Sequence, residues 1–186
     1  KGGQVGIMPV PTLTTPRLVL RQIRADDAAA LFPVLSDADV MNWWSSGPHQ
    51  SLAETADYVA SNAKEGQGFA CWAITLHDDV AIGWVILIDG KPDVKEIGYI
   101  LHRDHWRGGV AREAVACVID YGFAELKFRR IFADTDPENR GSIALLERLG
   151  FQYEGRLRGE WETHIGVRDS LIFVLLRDEW AMEKKP

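Results

Sequence analysis

The chain is poor in cysteine, in positive charge and in long apolar runs, and each shortage closes a route. Cys71 and Cys117, its two cysteines, stand inside apolar periodic segments, where reduced core residues are expected rather than a disulfide framework. Neither has an identifiable histidine partner, so an acyl-cysteine intermediate has no support. Lysine and arginine total 21 against 27 acidic residues, a formal charge of -6. That balance gives no overall basic field for nucleic acid, and any anion site must be local. No stretch approaches the ~18 consecutive apolar residues that span a bilayer, and no apolar segment follows a basic start. A soluble protein of the cytoplasm is the expectation. His102 and His105 lack further cysteine or histidine at zinc spacing, so no metal is expected.

What is present suits one α/β domain over residues 16–182. Residues 1–15 carry little periodicity and are expected to be flexible; the methionine at position 8 suggests that part of this segment is not native sequence. RLVLRQI from Arg17 reads as a strand, and DDAAALFPVL as a helix opened by Asp26 or Asp27 and disturbed by Pro33. A short helix is expected around DADVMNWW. Ser51 and Glu54 form a capping box for a third helix, which stops at Gly66. FACWAITL, VAIGWVILI and KEIGYILH are expected to form an antiparallel meander. VAREAVACVIDYGFAEL then carries an apolar stripe at helical spacing. RRIFADT is a strand, RGSIALLERL a helix ended by Gly150, and two strands turn near HIGV. KEIGYILH, the helix from 110 and RRIFADT make a β-α-β unit with a right-handed crossover.

HWRGGVAREA, residues 105–114, is the first turn of that unit. A strand-to-helix turn leaves helical N–H groups unpaired, with the positive end of the helix dipole behind them. Gly108 and Gly109 allow close backbone approach, and Arg103, Arg107 and Arg112 add local positive charge. A phosphate or pyrophosphate fits such a cradle. The stretch contains neither G-x-x-x-x-G-K-[ST] nor G-x-G-x-x-G, so nucleotide hydrolysis and dinucleotide binding lose ground.

In its ordered motifs the chain resembles the GNAT acyltransferases, specifically the branch of ribosomal-protein N-acetyltransferases, from Arg17 to Trp180. Trp106, Gly109 and Ala111 match the family's pyrophosphate motif, and Glu113 and Ala114 continue the branch's helix start. ENRGSIALLERLGF supplies Asn139, Ser142, Glu147, Gly150 and Phe151 of a second signature; RLVLR, EIGYIL and VRDSLIFVLL agree as well. Arg107 stands where the branch often has glycine, and Gly108 where it often has a basic residue.

The resemblance implies a mixed, mostly antiparallel central sheet of about seven strands, splayed at its centre and flanked by helices. It implies acetyl-CoA as co-substrate and direct acetyl transfer in a ternary complex to a primary amine, either a protein N-terminus or a small molecule. The backbone from Ile100 through Leu101 and His102 to Arg103 would contact the cofactor, as would Arg107, Gly108, Gly109, Val110, Ala111, Arg112, Asn139 and Ser142. Ser142 is the expected proton donor to the departing thiolate. For the base, Glu96, Glu160 and Glu162 stay open, as does a chain of waters. Trp43, Trp44 and Glu160 are expected at the acceptor site. A non-catalytic acyl-CoA sensor is the alternative, and the sequence leaves monomer and homodimer open.

Overall fold

The computed structural model describes residues 8–64, 66 and 68–183. Residues 1–7 of the segment expected to be flexible lie outside the described residues. Eight strands form one sheet: β1 (Leu13–Thr14), β2 (Val19–Gln22), β3 (Phe69–Thr75), β4 (Ala81–Asp89), β5 (Val94–Leu101), β6 (Arg130–Thr135), β7 (Gln152–Thr163) and β8 (Gly166–Leu176). Its helices are α1 (Ala28–Leu35), α2 (Ala38–Met41), α3 (Leu52–Asn62), α4 (Val110–Ala124), α5 (Arg140–Arg148) and α6 (Arg177–Glu183). The strand order is β1-β2-β3-β4-β5-β6-β8-β7, and every neighbouring pair is antiparallel except β5 and β6.

The mixed architecture follows from strands that are apolar on both sides. In β3 all residues after Phe69 are buried; because side chains alternate, Trp72 and Ile74 enter a core shared with α4, while Cys71 and Ala73 enter one shared with α1 and α3. On α4, Val115, Val118 and Ile119 are fully buried at helical spacing. Each such side chain contributes about 2 kcal/mol relative to leaving it in water.

Two details depart from the sequence reading. The sheet has eight strands rather than seven, because β1 lies inside the segment expected to be flexible. Leu13 and Thr14 pair with Leu20 and Val19, the Trp72 indole donates to the Pro11 carbonyl at 3.0 Å, and Met8 and Val10 pack against the core. Two residues are too few to show a period in sequence. The helix around DADVMNWW ends at Met41, so Trp43 and Trp44 follow it in a turn.

β5 and β6 pair only through Val94–Arg130, Lys95–Ile131 and Glu96–Phe132. Beyond Glu96, β5 stays with β4 as far as Leu101 while β6 stays with β8 as far as Thr135, and the sheet forks. Gly83 of β4 lets the far end of β5 lie close: a Cβ there would collide with the Ile100 carbonyl oxygen. Among the described residues no helix is long and apolar enough to cross a membrane.

Candidate active site

The mouth of the fork is the β5–α4 turn. After Leu101 the chain makes a short 3-10 turn at Arg103–His105 and enters α4 at Val110. Arg107 and Gly109 both hold positive φ, 65° and 77°. For Gly109 this is ordinary; for Arg107 it costs on the order of 1 kcal/mol. A Cβ on Gly108 would meet open space, so the turn is unobstructed on that side.

Glu113, in the first turn of α4, fastens this turn to the start of the chain. Its carboxylate accepts from the Thr15 hydroxyl at 2.5 Å, the Arg17 backbone N–H at 3.0 Å and Arg17 Nε at 2.6 Å. Arg17 Nη1 also donates to the Gly108 carbonyl at 2.8 Å. Burial pushes the Glu113 carboxyl up, but the Thr15 and Arg17 hydrogen bonds outweigh it and hold the group below the usual carboxylate range. The carboxylate is thus matched by Arg17 and does not cancel the positive helix terminus.

From the cradle a cleft of about 720 Å³ runs into the fork. Residues 97–101 of β5, Gly109 to Arg112 and Trp106 form one wall; residues 133–135 of β6, Asp136 and residues 139–142 form the other. Because β5 has left β6 beyond Glu96, its backbone groups facing that way are open to a ligand. Arg107, Arg112, Arg140 and Arg148 line the cleft, and among the described residues none of the four makes an ion pair. In an acidic chain this is a concentrated positive site.

Of the residues picked from sequence, Ile100, Leu101, Arg107, Gly109, Val110, Ala111, Arg112, Asn139 and Ser142 all line this cleft, with Trp43 and Trp44. Gly108 lies beside the lining, in the turn itself. His102 and Arg103 are engaged elsewhere: the His102 N–H donates to the Ile82 carbonyl at 2.7 Å, and the Arg103 guanidinium reaches Asp37 at 2.6 Å and Asp39 at 2.9 Å. Arg103 therefore braces the turn against α2 instead of adding free charge to the cradle. Asn139 caps α5, its side-chain oxygen accepting from the Ser142 N–H at 3.2 Å. Ser142 Oγ lies 2.5 Å from the Tyr99 hydroxyl.

The part of the cleft lined by Trp43 and Trp44 is built differently. Trp44 packs edge-on against Trp84 at 5.8 Å and donates to the Tyr58 hydroxyl at 3.1 Å. Trp43 lies under the Arg168 guanidinium, 5.8 Å from its ring centre. Arg168 in turn grips Asp136 at 2.7 and 2.9 Å and also bonds Glu138. Asp134, at a half-buried position of β6, accepts from the Trp161 indole at 3.0 Å. Glu96 sits at the closed end of the fork, outside the cleft lining; burial, and then the negative charge of Asp134, push its carboxyl up. Glu160 and Glu162 are exposed on β7 and also lie outside the lining.

Sequence reasoning missed Tyr99, Asp134, Trp161 and Arg168. Tyr99 falls inside the quoted EIGYIL run, and Asp134 interrupts the apolar alternation of β6, so each left a trace. Nothing local marked Trp161 or Arg168, whose partners are 27 and 32 residues away.

The Acetyltransferase (GNAT) domain pattern matches residues 17–152. An uncharacterised N-acetyltransferase, p20 of Bacillus licheniformis, is 38% identical over 175 residues, 91% of this chain and 98% of its own. A GNAT-family acetyltransferase from Bacillus anthracis aligns with a TM-score of 0.81 at 25% identity, over 90% of this chain and 99% of that one. The spermidine N-acetyltransferase of Vibrio cholerae, solved with CoA and spermine, aligns with a TM-score of 0.77 at 22% identity, over 90% and 99%.

Proposed function

The chain belongs to the GNAT acetyltransferase family, and from that premise we propose that it passes the acetyl group of acetyl-CoA to a primary amine by direct attack in a ternary complex. The observation that carries this is the forked cleft, with four arginines along it that make no ion pair among the described residues and a glycine-lined helix terminus at its mouth. Acetyl-CoA, when bound, supplies the activated thioester. The residues present fit such a ligand. The α4 terminus with Gly108, Gly109 and Arg107 would hold the pyrophosphate, and Arg112, Arg140 and Arg148 would face its remaining negative charge. The open β5 edge would meet the pantetheine and orient the acetyl oxygen.

To Ser142, on the cleft wall, we assign the departing sulfur. Glu96, whose acidity is weakened by burial and by Asp134, suits a base that takes the amine proton through a water, because it is outside the cleft lining. The acceptor is a cationic amine, either a protein N-terminus as in the ribosomal-protein branch or a small molecule. Asp134 and the tryptophans at the acceptor end favour a protonated amine of either kind. A cytoplasmic setting belongs to the same proposal.

The test is calorimetric titration with acetyl-CoA, desulfo-CoA and a plain nucleotide, followed by thiol-release assays with polyamines and with N-terminal peptides. Saturable binding of the CoA compounds and turnover with one amine class are expected. Binding without turnover across both classes would favour the acyl-CoA sensor instead.

A further inference from the structure

We propose that Tyr99 is a positioning residue for transfer: its hydroxyl donates to Ser142 Oγ and thereby fixes the Ser142 hydrogen toward the sulfur that leaves. The proposal rests on the reading of Ser142 given above and adds to it a residue that no comparison assigns.

The geometry is specific. Tyr99 projects from β5 and Ser142 from the first turn of α5, on opposite walls of the fork, and their oxygens are 2.5 Å apart across a separation of 43 residues. Among the described residues, this is the hydrogen bond of the Tyr99 hydroxyl, and Ser142 Oγ has no other. The pair holds two hydrogens, so one is shared and one is left over. A phenol is the stronger donor and the weaker acceptor of the two groups, which puts the shared hydrogen on Tyr99 and the spare one on Ser142. Asn139 fixes the Ser142 backbone at the same time, since its side chain accepts from the Ser142 N–H. A serine that is already accepting from one side is left to donate on the other.

Burial raises the Tyr99 hydroxyl to about 12, so its hydrogen is present throughout the range in which an amine acetyltransferase can work. An ordinary thiol ionises near ~8.5, below either hydroxyl. The pair therefore stabilises charge on sulfur by donating a hydrogen bond, in place of the proton transfer that the family resemblance led us to expect of Ser142. The bound ammonium first loses one proton to solvent through Glu96; the neutral nitrogen then forms the C–N bond, the C–S bond breaks with its electron pair left on sulfur, and the nitrogen gives a second proton to solvent. Sulfur later gains a proton from solvent, so the count balances with both hydroxyls unchanged.

A double-mutant cycle tests this: kcat, amine KM and acetyl-CoA affinity are measured for Tyr99→Phe, Ser142→Ala and the double variant. Tyr99→Phe should lower kcat about tenfold, the worth of one well-placed hydrogen bond. It should spare KM, acetyl-CoA affinity and thermal midpoint, and cost nothing more in the Ser142→Ala background. An unchanged kcat in Tyr99→Phe, or a loss that adds in full to that of Ser142→Ala, overturns the proposal. So does a fall in acetyl-CoA affinity or thermal midpoint that accounts for the lost rate, since Tyr99 would then be a packing residue. If Ser142→Ala itself runs at the parent rate, the serine reading fails first and Tyr99 loses its role with it.

Discussion

Along the cleft, Arg107, Arg112, Arg140 and Arg148 make no ion pair among the described residues; off its lining, Arg103 and Arg168 are each tied to two carboxylates. The residue type is the same, but its office differs. The arginines that line the cleft leave a positive surface there that an anionic ligand could neutralise. Committed arginines build walls: Arg103 joins the cradle to α2, and Arg168 joins β8 to the Asp136 turn while covering Trp43. An arginine in sequence is therefore uninformative about ligand binding until its carboxylates are located.

The contrast yields three expectations, from the largest effect down. Gly109→Val combines a disfavoured backbone conformation with a side chain directed at Arg17, and should weaken acetyl-CoA binding about 100-fold, the sum of strain and a displaced cradle. Calorimetry with a thermal-melt control reads it; full affinity would mean that the turn does not hold the pyrophosphate. Arg112→Ala should weaken acetyl-CoA about tenfold, with a loss that shrinks as salt rises and no change in melting temperature. Arg168→Ala should do the reverse, sparing acetyl-CoA while raising amine KM. Identical behaviour of the two variants would erase the distinction drawn here.

The smallest effect concerns Asp134→Asn. Asp134 is one of the causes that push Glu96 up, so removing its charge lets Glu96 ionise at lower pH. If Glu96 is the base, activity requires its ionised form, and the rising acid limb of the pH–rate profile should move to lower pH. A limb that stays in place would detach Glu96 from the chemistry. Amine KM should rise about threefold if Asp134 also attracts the cationic acceptor.

The β5–α4–β6 unit was legible because its signals are local: a strand period, two glycines and a helical stripe within 42 residues of each other. Asn139 was picked out as a cofactor contact, and its capping of α5 is seen in the structure. Local signals do not say which groups meet. The sequence reading counted Arg103 as free charge because Asp37 and Asp39 stand more than sixty residues earlier. Trp43 and Trp44 looked alike, and only Tyr58, Trp84 and Arg168, from three other elements, separate them. β1 escaped because pairing, not periodicity, makes a two-residue strand.

The close approach at Gly83 has a practical meaning for anyone wishing to change the acyl donor. β5 can swing away from β6 only as far as β4 lets it, so the gauge of the slot is set by an atom missing from a strand outside the cleft lining. Redesign for a bulkier acyl chain by trimming the slot's own walls leaves that gauge untouched. A substitution at Gly83 would instead push β5 back toward β6 and narrow the slot, although residue 83 would never meet the donor.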